Sequence, residues 1–337
     1  MSTIKVNLVA EKFIGTANGV YTAVLEAING LKKAPEISLS INGSNKKCDV
    51  IHAHSMGPKS LWLSIRHSKK YIISAHVVPE SFIGSLVLSK LWNPLMTKYI
   101  LFMYNRAKMV VAVSPAVKKE LVALGVKSEI NVLCNSVDRN KFKEDTKQRA
   151  KFRKKYNIAE NDFVAICVGQ IQPRKGVTEF LETAKALPNV KFVWVGGRPF
   201  GRLTADFDKL THEIENAPSN VIFAGIVDFQ DMPGHYCMSD VYFLPSLQEN
   251  FAFATIEASS VKLPLVLRDN AEYPSSLFTH YLKGKTPDEY AKIINKLATE
   301  KDHYQDWQTE SDTLASKYEI TEFIKKLVSH YKKVANK

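Results

Sequence analysis

Short apolar runs of strand length alternate with amphipathic helical stretches along the whole chain, and the alternation occurs twice. In the first half Ile4–Val9, Val50–His52, Tyr71–Ser74 and Val110–Val113 read as strands. Val20–Leu31 and Ala116–Leu124 read as helices; the second opens on Ser114-Pro115 as N-cap and first helical residue and closes at Gly125. A charged segment, 141–155, reads as linker followed by a short helix. The pattern then resumes, with strands at Phe163–Val168, Lys191–Val195, Val221–Ala224, Val241–Leu244 and Leu265–Leu267. Helices fall at Thr178–Leu187, Leu203–Asn216, Met232–Met238 and 251–261, and a last one spans about 318–335. Strands separated by helices pair through crossovers, which makes parallel, doubly wound sheets. At 337 residues the chain also exceeds what one hydrophobic core usually holds. The expectation is therefore α/β: two facing Rossmann-like domains, 1–145 and 146–317, with ligands in an interdomain cleft at the carboxyl ends of the strands. The terminal helix, 318–337, is expected to pack back on the first domain.

The net charge of +12 sits in the first half. Residues 1–150 carry 22 Lys plus Arg against 10 Asp plus Glu, whereas 151–337 carry 24 of each. Between 59 and 119 ten cations accompany a single acid, Glu80. Such a field draws a polyanion, either nucleic acid or an anionic lipid surface. No helix-turn-helix, RNA-binding or zinc signature accompanies it, which disfavours nucleic acid. The stretch 81–108 is rich in large apolar and aromatic residues, with Lys90, Lys98, Arg106 and Lys108 spaced along it. Helices broken at Pro94 would lie in a membrane interface, apolar side inward and cations on headgroups. For 98–105 a buried core helix fits as well. Lys59, Trp62, Arg66, Lys69, Lys70, Lys90, Trp92 and Lys98 are the candidate membrane-binding residues. No window of 18 uncharged apolar residues occurs, so no bilayer crossing is expected. The N-terminus is too quickly polar for a signal peptide. The four cysteines are scattered without a CxxC pair, which argues against a disulfide framework or zinc ribbon. A peripheral protein at the cytoplasmic face of the cell membrane fits all of this.

The chemistry concentrates in the second half. Glu249 and Glu257 stand eight apart in Pro245-Ser-Leu-Gln-Glu-Asn-Phe-Ala-Phe-Ala-Thr-Ile-Glu257, after the strand-like Val241–Leu244. The first falls in a strand-to-helix loop and the second about one turn into the helix. An ionised carboxylate accepts two hydroxyl hydrogen bonds in a fork, which suits a polyhydroxyl ligand. Val168-Gly-Gln-Ile-Gln-Pro-Arg-Lys-Gly176 follows the first strand of this half. There Gly169 permits close backbone approach to a phosphate, and Arg174 and Lys175 bring cations ahead of a helix N-terminus. In the first half Phe13-Ile-Gly-Thr-Ala-Asn-Gly19 is a glycine loop between strand and helix. His76 ends a strand, where an imidazole can meet a sugar hydroxyl or a leaving phosphate; a structural histidine fits the residues equally. His52 and His54 alternate at another strand end, and without nearby ordered acids they make a poor metal site, so no metal is expected.

The loop at 168–176 and the Glu pair resemble the Gly-Arg-Leu-x-x-x-Lys-Gly loop and the Glu-x7-Glu signature of retaining nucleotide-sugar glycosyltransferases of family 4. Gln170 stands where that family often has Arg, which makes Arg174 the candidate to share the phosphate role with Lys175. Asn135-Ser-Val-Asp138 with Phe142 is similar to the family's Asn-Gly-Val-Asp…Phe. Asp269-Asn-Ala-Glu-Tyr273 stands where the family closes the donor site, without its usual Gly-Gly. The resemblance covers nearly the whole chain and implies the GT-B fold, with catalytic roles for His76, Glu249, Lys175 and Arg174. It places the donor on Gly15, Gly19, Gly169, Arg174, Lys175, Glu249, Asn250, Phe251 and Glu257. It implies a UDP-sugar as donor substrate, no tightly bound cofactor, and Mg2+ as an activator only. Within the family, the compact size, the basic first domain and His54-Ser-Met-Gly-Pro-Lys-Ser60 are similar to bacterial glycolipid synthases. Those enzymes add an α-glucosyl unit to monoglucosyl-diacylglycerol, with a 1,2-link favoured here. A family 4 enzyme of cell-surface polysaccharide synthesis would share every motif. A NAD-dependent dehydrogenase would need a Gly-x-Gly-x-x-Gly after a strand, and none occurs.

Overall fold

The apolar runs assemble into two parallel six-stranded sheets in a computed structural model that describes residues 3–11, 19–43, 47–79, 89–198, 201–251 and 253–336. The chain divides into two compact units at Ser136/Val137, ahead of residue 145, and the residues from Tyr318 onward belong to the first unit. In that unit the elements are β1 (Ile4–Val9), α1 (Gly19–Lys32), β2 (Ile37–Ile41), β3 (Val50–Ala53), α2 (Pro58–Arg66), β4 (Tyr71–Ala75), α3 (Ser89–Arg106), β5 (Met109–Ala112), α4 (Pro115–Ala123) and β6 (Glu129–Val132). Their sheet runs β2-β1-β3-β4-β5-β6. The inner strands β3, β4 and β5 are buried along their full length. A parallel sheet covered on both faces demands such unbroken apolar runs.

The second unit holds α5 (Thr146–Lys155), β7 (Phe163–Val168), α6 (Val177–Ala186), β8 (Val190–Val195), α7 (Phe207–Glu215), β9 (Val221–Gly225), α8 (Met232–Cys237), β10 (Val241–Leu244), α9 (Phe253–Ser260), β11 (Leu265–Arg268), α10 (Pro274–Leu277), β12 (Leu282–Gly284), α11 (Pro287–Thr299) and α12 (Lys301–Ser316). The order is β12-β11-β10-β7-β8-β9. Its core is aromatic: Phe180 of α6 meets Trp194 edge-on at 5.1 Å and stacks on Phe243 at 5.8 Å. Arg153, 1 % exposed, pins α5 to this sheet by donating to Asp240 at 2.8 Å and to the carbonyls of Met238, Ala159, Glu160 and Asp162.

The last helix, α13 (Ile320–Ala335), packs Leu327, Val328 and Tyr331 against Ile4, Val6 and Leu8 of β1 and Val24, Ala27 and Leu31 of α1. Each such side chain taken fully out of water contributes roughly 2 kcal/mol. Gly30 allows the close crossing, since a Cβ there would lie 2.4 Å from Ile324.

Three strands carry no sequence signal of the kind used above: β2, β6 and β12. All three are sheet edges, half-exposed, with sequences ISLSI, EINV and LKG that hold no continuous apolar run. The expected break at Pro94 does not occur. Helix α3 runs through it from Ser89 to Arg106, with the proline inside the helix at the loss of one backbone hydrogen bond.

Candidate functional site

In the second unit β7 ends at Val168, and Gly169 continues it by donating its amide to the Val195 carbonyl at 2.9 Å. The Gly169 carbonyl accepts from the Trp194 indole at 2.9 Å and lies so near the next chain that a Cβ on Gly196 would stand 2.0 Å from it. Pro173–Lys175 forms a single 3-10 turn, and Gly176 adopts the left-handed conformation (φ 74°, ψ 40°) that starts α6. A Cβ on Gly176 would lie 2.4 Å from the Pro245 carbonyl oxygen, so only glycine lets the two loops touch.

Hydrogen bonds stitch these loops together. Leu247 donates its amide to the Arg174 carbonyl at 2.7 Å, and the Ser246 hydroxyl donates to the same carbonyl at 3.1 Å. Arg174 returns a guanidinium hydrogen bond to the Gln248 carbonyl at 2.9 Å. Arg268 donates to Pro245 O at 3.0 Å, and Asn270 donates its side-chain amide to Ser246 O at 2.8 Å. At the join the Lys175 ammonium donates to Glu249 Oε1 in a buried ion pair. Burial draws the Lys175 ammonium below its ordinary value, against the opposing pull of Glu249. Burial pushes the Glu249 carboxyl upward, but Lys175 and Arg174 outweigh it and hold the group below the usual carboxylate range. The result is a cation and a carboxylate fixed side by side, where α6 begins and its dipole is positive.

Glu257 lies in α9, 4 % exposed, and accepts a hydrogen bond from Tyr236 of α8 at 2.7 Å. Asn250 accepts from the Gln248 side chain at 2.8 Å, and Phe251 sits edge-on to Phe253 at 6.4 Å. The structure thus groups Gly169, Arg174, Lys175, Glu249 and Asn250 around the two loops and places Glu257 in the helix that follows. Gly19 is the first residue of α1. Gly15 and most of the glycine loop lie outside the described residues.

In the first unit three histidines line up at the ends of β3 and β4. His52 bonds the Tyr331 hydroxyl at 2.8 Å and the Ser74 hydroxyl at 2.9 Å. His54 Nδ1 lies 3.1 Å from His76 Nε2. Burial lowers His52 to about 3, His76 to about 4 and His54 well below 6.5. All three are therefore uncharged at neutral pH. Unfolded, each binds a proton near pH 6.5, so the stabilisation is full above that value and falls as pH drops toward 4 and below. Between pH 7.5 and 5.5 the first unit is expected to lose on the order of 1 kcal/mol per imidazole, read as a falling urea midpoint of unit 1 amide exchange. A midpoint unchanged over that range would contradict the burial of these rings. Among the described residues no group of three or more His, Cys, Asp or Glu side chains is arranged to hold a metal ion.

Helices α2 and α3 lie together: Ser64 reaches Met103 at 3.7 Å, and Arg106 donates to the Ile65 carbonyl at 3.1 Å. Ile100, Met103 and Tyr104 are buried, while Leu91 (76 %), Leu95 (74 %), Phe102, Trp62 (54 %) and Ile65 are exposed. Arg66, Lys69 and Lys98 are exposed too, and Trp92 is half-buried. Two further members also bond backbone: Lys59 donates to the Asn42 carbonyl at 3.0 Å and Lys70 to the Cys48 carbonyl at 2.9 Å. Both carbonyls belong to the loop after β2, and both lysines are half-buried. Residues 80–88 and the side chain of Lys90 lie outside the described residues. Among the described residues no helix is long and apolar enough to cross a membrane.

Sequence reasoning missed Glu11, Tyr236 and Arg268. Glu11 accepts from the Ser55 hydroxyl at 2.9 Å and the Lys59 amide at 2.7 Å, which caps the N-terminus of α2. None of the three stands at a telling spacing from its partner; each meets it only through tertiary folding.

The chain matches two family models, one described as Glycosyltransferase Family 4 over residues 27–141 and one as Glycosyl transferases group 1 over 148–313. It is 27 % identical to the alpha-galactosylglucosyldiacylglycerol synthase of Streptococcus pneumoniae, over 98 % of this chain and 90 % of that one. It is 30 % identical to the processive diacylglycerol alpha-glucosyltransferase of Acholeplasma laidlawii, over 75 % of this chain and 76 % of the relative. In structure it is similar to Anabaena HepE, crystallised in complex with UDP and glucose, with a TM-score of 0.79 at 16 % identity over 97 % of this chain and 99 % of that one.

Proposed function

Because the chain belongs to glycosyltransferase family 4 and has the GT-B fold, we propose that it is a retaining hexosyltransferase acting on a membrane glycolipid. In this reading it moves glucose from UDP-glucose to monoglucosyl-diacylglycerol and makes an α-linked diglucosyl lipid, with the 1,2-link favoured. The observation that carries the reading is the ion pair of Lys175 and Glu249 at the junction of two stitched loops. A cation beside a helix N-terminus suits a diphosphate, and a carboxylate beside it suits sugar hydroxyls.

Lys175, with Arg174 and the start of α6, stabilises the negative charge that grows on the diphosphate as it leaves. Glu249 accepts hydroxyls of the donor sugar, and Glu257 accepts the ribose hydroxyls. The buried, neutral His76 serves as a hydrogen-bonding partner to a sugar hydroxyl rather than as a cation on phosphate. The acceptor hydroxyl attacks on the face the diphosphate vacates, which retains the α configuration. Glu249 is already neutralised by Lys175, and this argues against the paired-carboxylate scheme of glycoside hydrolysis.

The activities named for the two bacterial relatives support the diacylglycerol acceptor. The exposed apolar side chains of α2 and α3, with Arg66, Lys69 and Lys98 nearby, support docking at the cytoplasmic face of an anionic membrane; each such cation adds about 1 kcal/mol there. Turnover of UDP-glucose with monoglucosyl-diacylglycerol is expected to rise with the phosphatidylglycerol content of the vesicles and to fall with added salt. A combined Trp62→Ser, Leu91→Ser and Leu95→Ser variant should sediment with those vesicles about tenfold less. No lipid-linked product in any vesicle composition would favour a polysaccharide acceptor instead.

A further inference from the structure

Glu257 sits on α9, but a neighbour on another element governs its carboxylate. Tyr236, on α8, is fully buried and donates its hydroxyl to Glu257 Oε2 at 2.7 Å. Burial, and next the adjacent Glu257 charge, push the Tyr236 phenol far above its ordinary value, so it remains a donor at any working pH. The ring itself has little freedom. Phe142 meets it edge-on at 6.0 Å, and Tyr242 lies tilted at 6.4 Å.

The helix that carries Tyr236 is fixed in turn from α5. His235 bonds the Tyr156 hydroxyl at 2.9 Å and packs edge-on to Phe152 at 4.8 Å. Gly234 lets Phe152 approach so closely that a Cβ would stand 2.2 Å from the ring. On the Glu257 side, the Ser260 hydroxyl on the next turn of α9 donates to the Phe142 carbonyl at 2.7 Å. Phe142 thus touches both the ring of Tyr236 and the helix of Glu257. A buried carboxylate costs free energy unless hydrogen-bonded, and a hydrogen bond to a charged group is both stronger and more directional than a neutral one. A phenol that cannot turn away supplies it here.

We propose that Tyr236 is a positioning residue for nucleotide recognition: by engaging Oε2 it sets the rotamer in which Glu257 receives the ribose hydroxyls. This rests on the assignment of Glu257 to the ribose. Tyr236 touches no substrate; it acts through the carboxylate. Its removal therefore changes ribose discrimination rather than chemistry.

The test compares binding of UDP with that of 2′,3′-dideoxy-UDP, by calorimetry, for the wild type, Tyr236→Phe and Glu257→Ala. The wild type is expected to prefer UDP, and Glu257→Ala to lose that preference. Tyr236→Phe, which keeps the ring and its packing, is expected to weaken UDP about tenfold while leaving the dideoxy nucleotide unchanged. It should also raise the donor KM with kcat nearly intact. A merely structural role would weaken both nucleotides alike and lower the unfolding midpoint. A lost preference in Glu257→Ala with full preference in Tyr236→Phe would overturn the positioning role alone. An unchanged preference in Glu257→Ala, or no UDP binding by the wild type, would overturn the ribose assignment and this inference with it.

Discussion

Lys175→Met is expected to lower turnover with UDP-glucose by roughly a thousandfold, the scale seen when one preorganised group facing developing charge is removed. The same change is expected to cost about 3 kcal/mol of stability, because it leaves Glu249 buried and without its directly bonded cation. A second substitution separates the two effects. In Lys175→Met combined with Glu249→Gln both charges are gone, so the urea midpoint should recover to within about 1 kcal/mol of wild type. Turnover should stay lost. If the double variant regained activity along with stability, Lys175 would be a structural cation and the diphosphate would bind elsewhere.

Gly176→Ala should have the next largest effect, through geometry alone. The left-handed backbone at φ 74° disfavours alanine by about 1–2 kcal/mol. The added methyl would also meet the Pro245 carbonyl at 2.4 Å, a backbone atom that cannot swing aside as a flexible side chain would. The loops must therefore separate, which draws Lys175 and Glu249 apart. Expected are a total loss near 3 kcal/mol and a fall in kcat/KM of about a hundredfold, since displacements near 1 Å cost that much in positioned sites. Gly125→Ala is the control. Gly125 has φ 83° but open space around its Cβ, so it should show only the backbone cost and full activity. Equal losses in the two variants would mean that the contact with Pro245 does not hold the site.

These two residues also mark how far the sequence could be read. The doubly wound pattern was visible because inner strands such as Tyr71–Ala75 are buried on both faces and must be apolar throughout. Edge strands escape that demand: Glu129–Val132 holds no continuous apolar run and went unread, whereas the edge strand Val221–Gly225 keeps one and was read. The loop of Arg174 and Lys175 and the Glu pair stood out as chemistry at regular places, after strands and before helices. What could not be read was which partner each group holds. Glu249 meets Lys175 across 74 positions and Glu257 meets Tyr236 across 21, and no local spacing encodes either contact. The charge of the first half pointed to a polyanionic partner, and the apolar stretch 81–108 turned that toward a lipid surface. In the structure Arg66, Lys69 and Lys98 are exposed, while Lys59 and Lys70 are half-buried and each donates to a carbonyl.

Titration of UDP into the wild type and into Lys175→Met, followed by calorimetry, tests the nucleotide-sugar cradle most directly. The wild type should bind one nucleotide per chain. The variant should bind it at least about a hundredfold more weakly, as expected for the loss of a buried charged contact. Equal affinity in the two proteins would contradict the assignment of Lys175 to the diphosphate, and with it the site on which the proposed transfer rests.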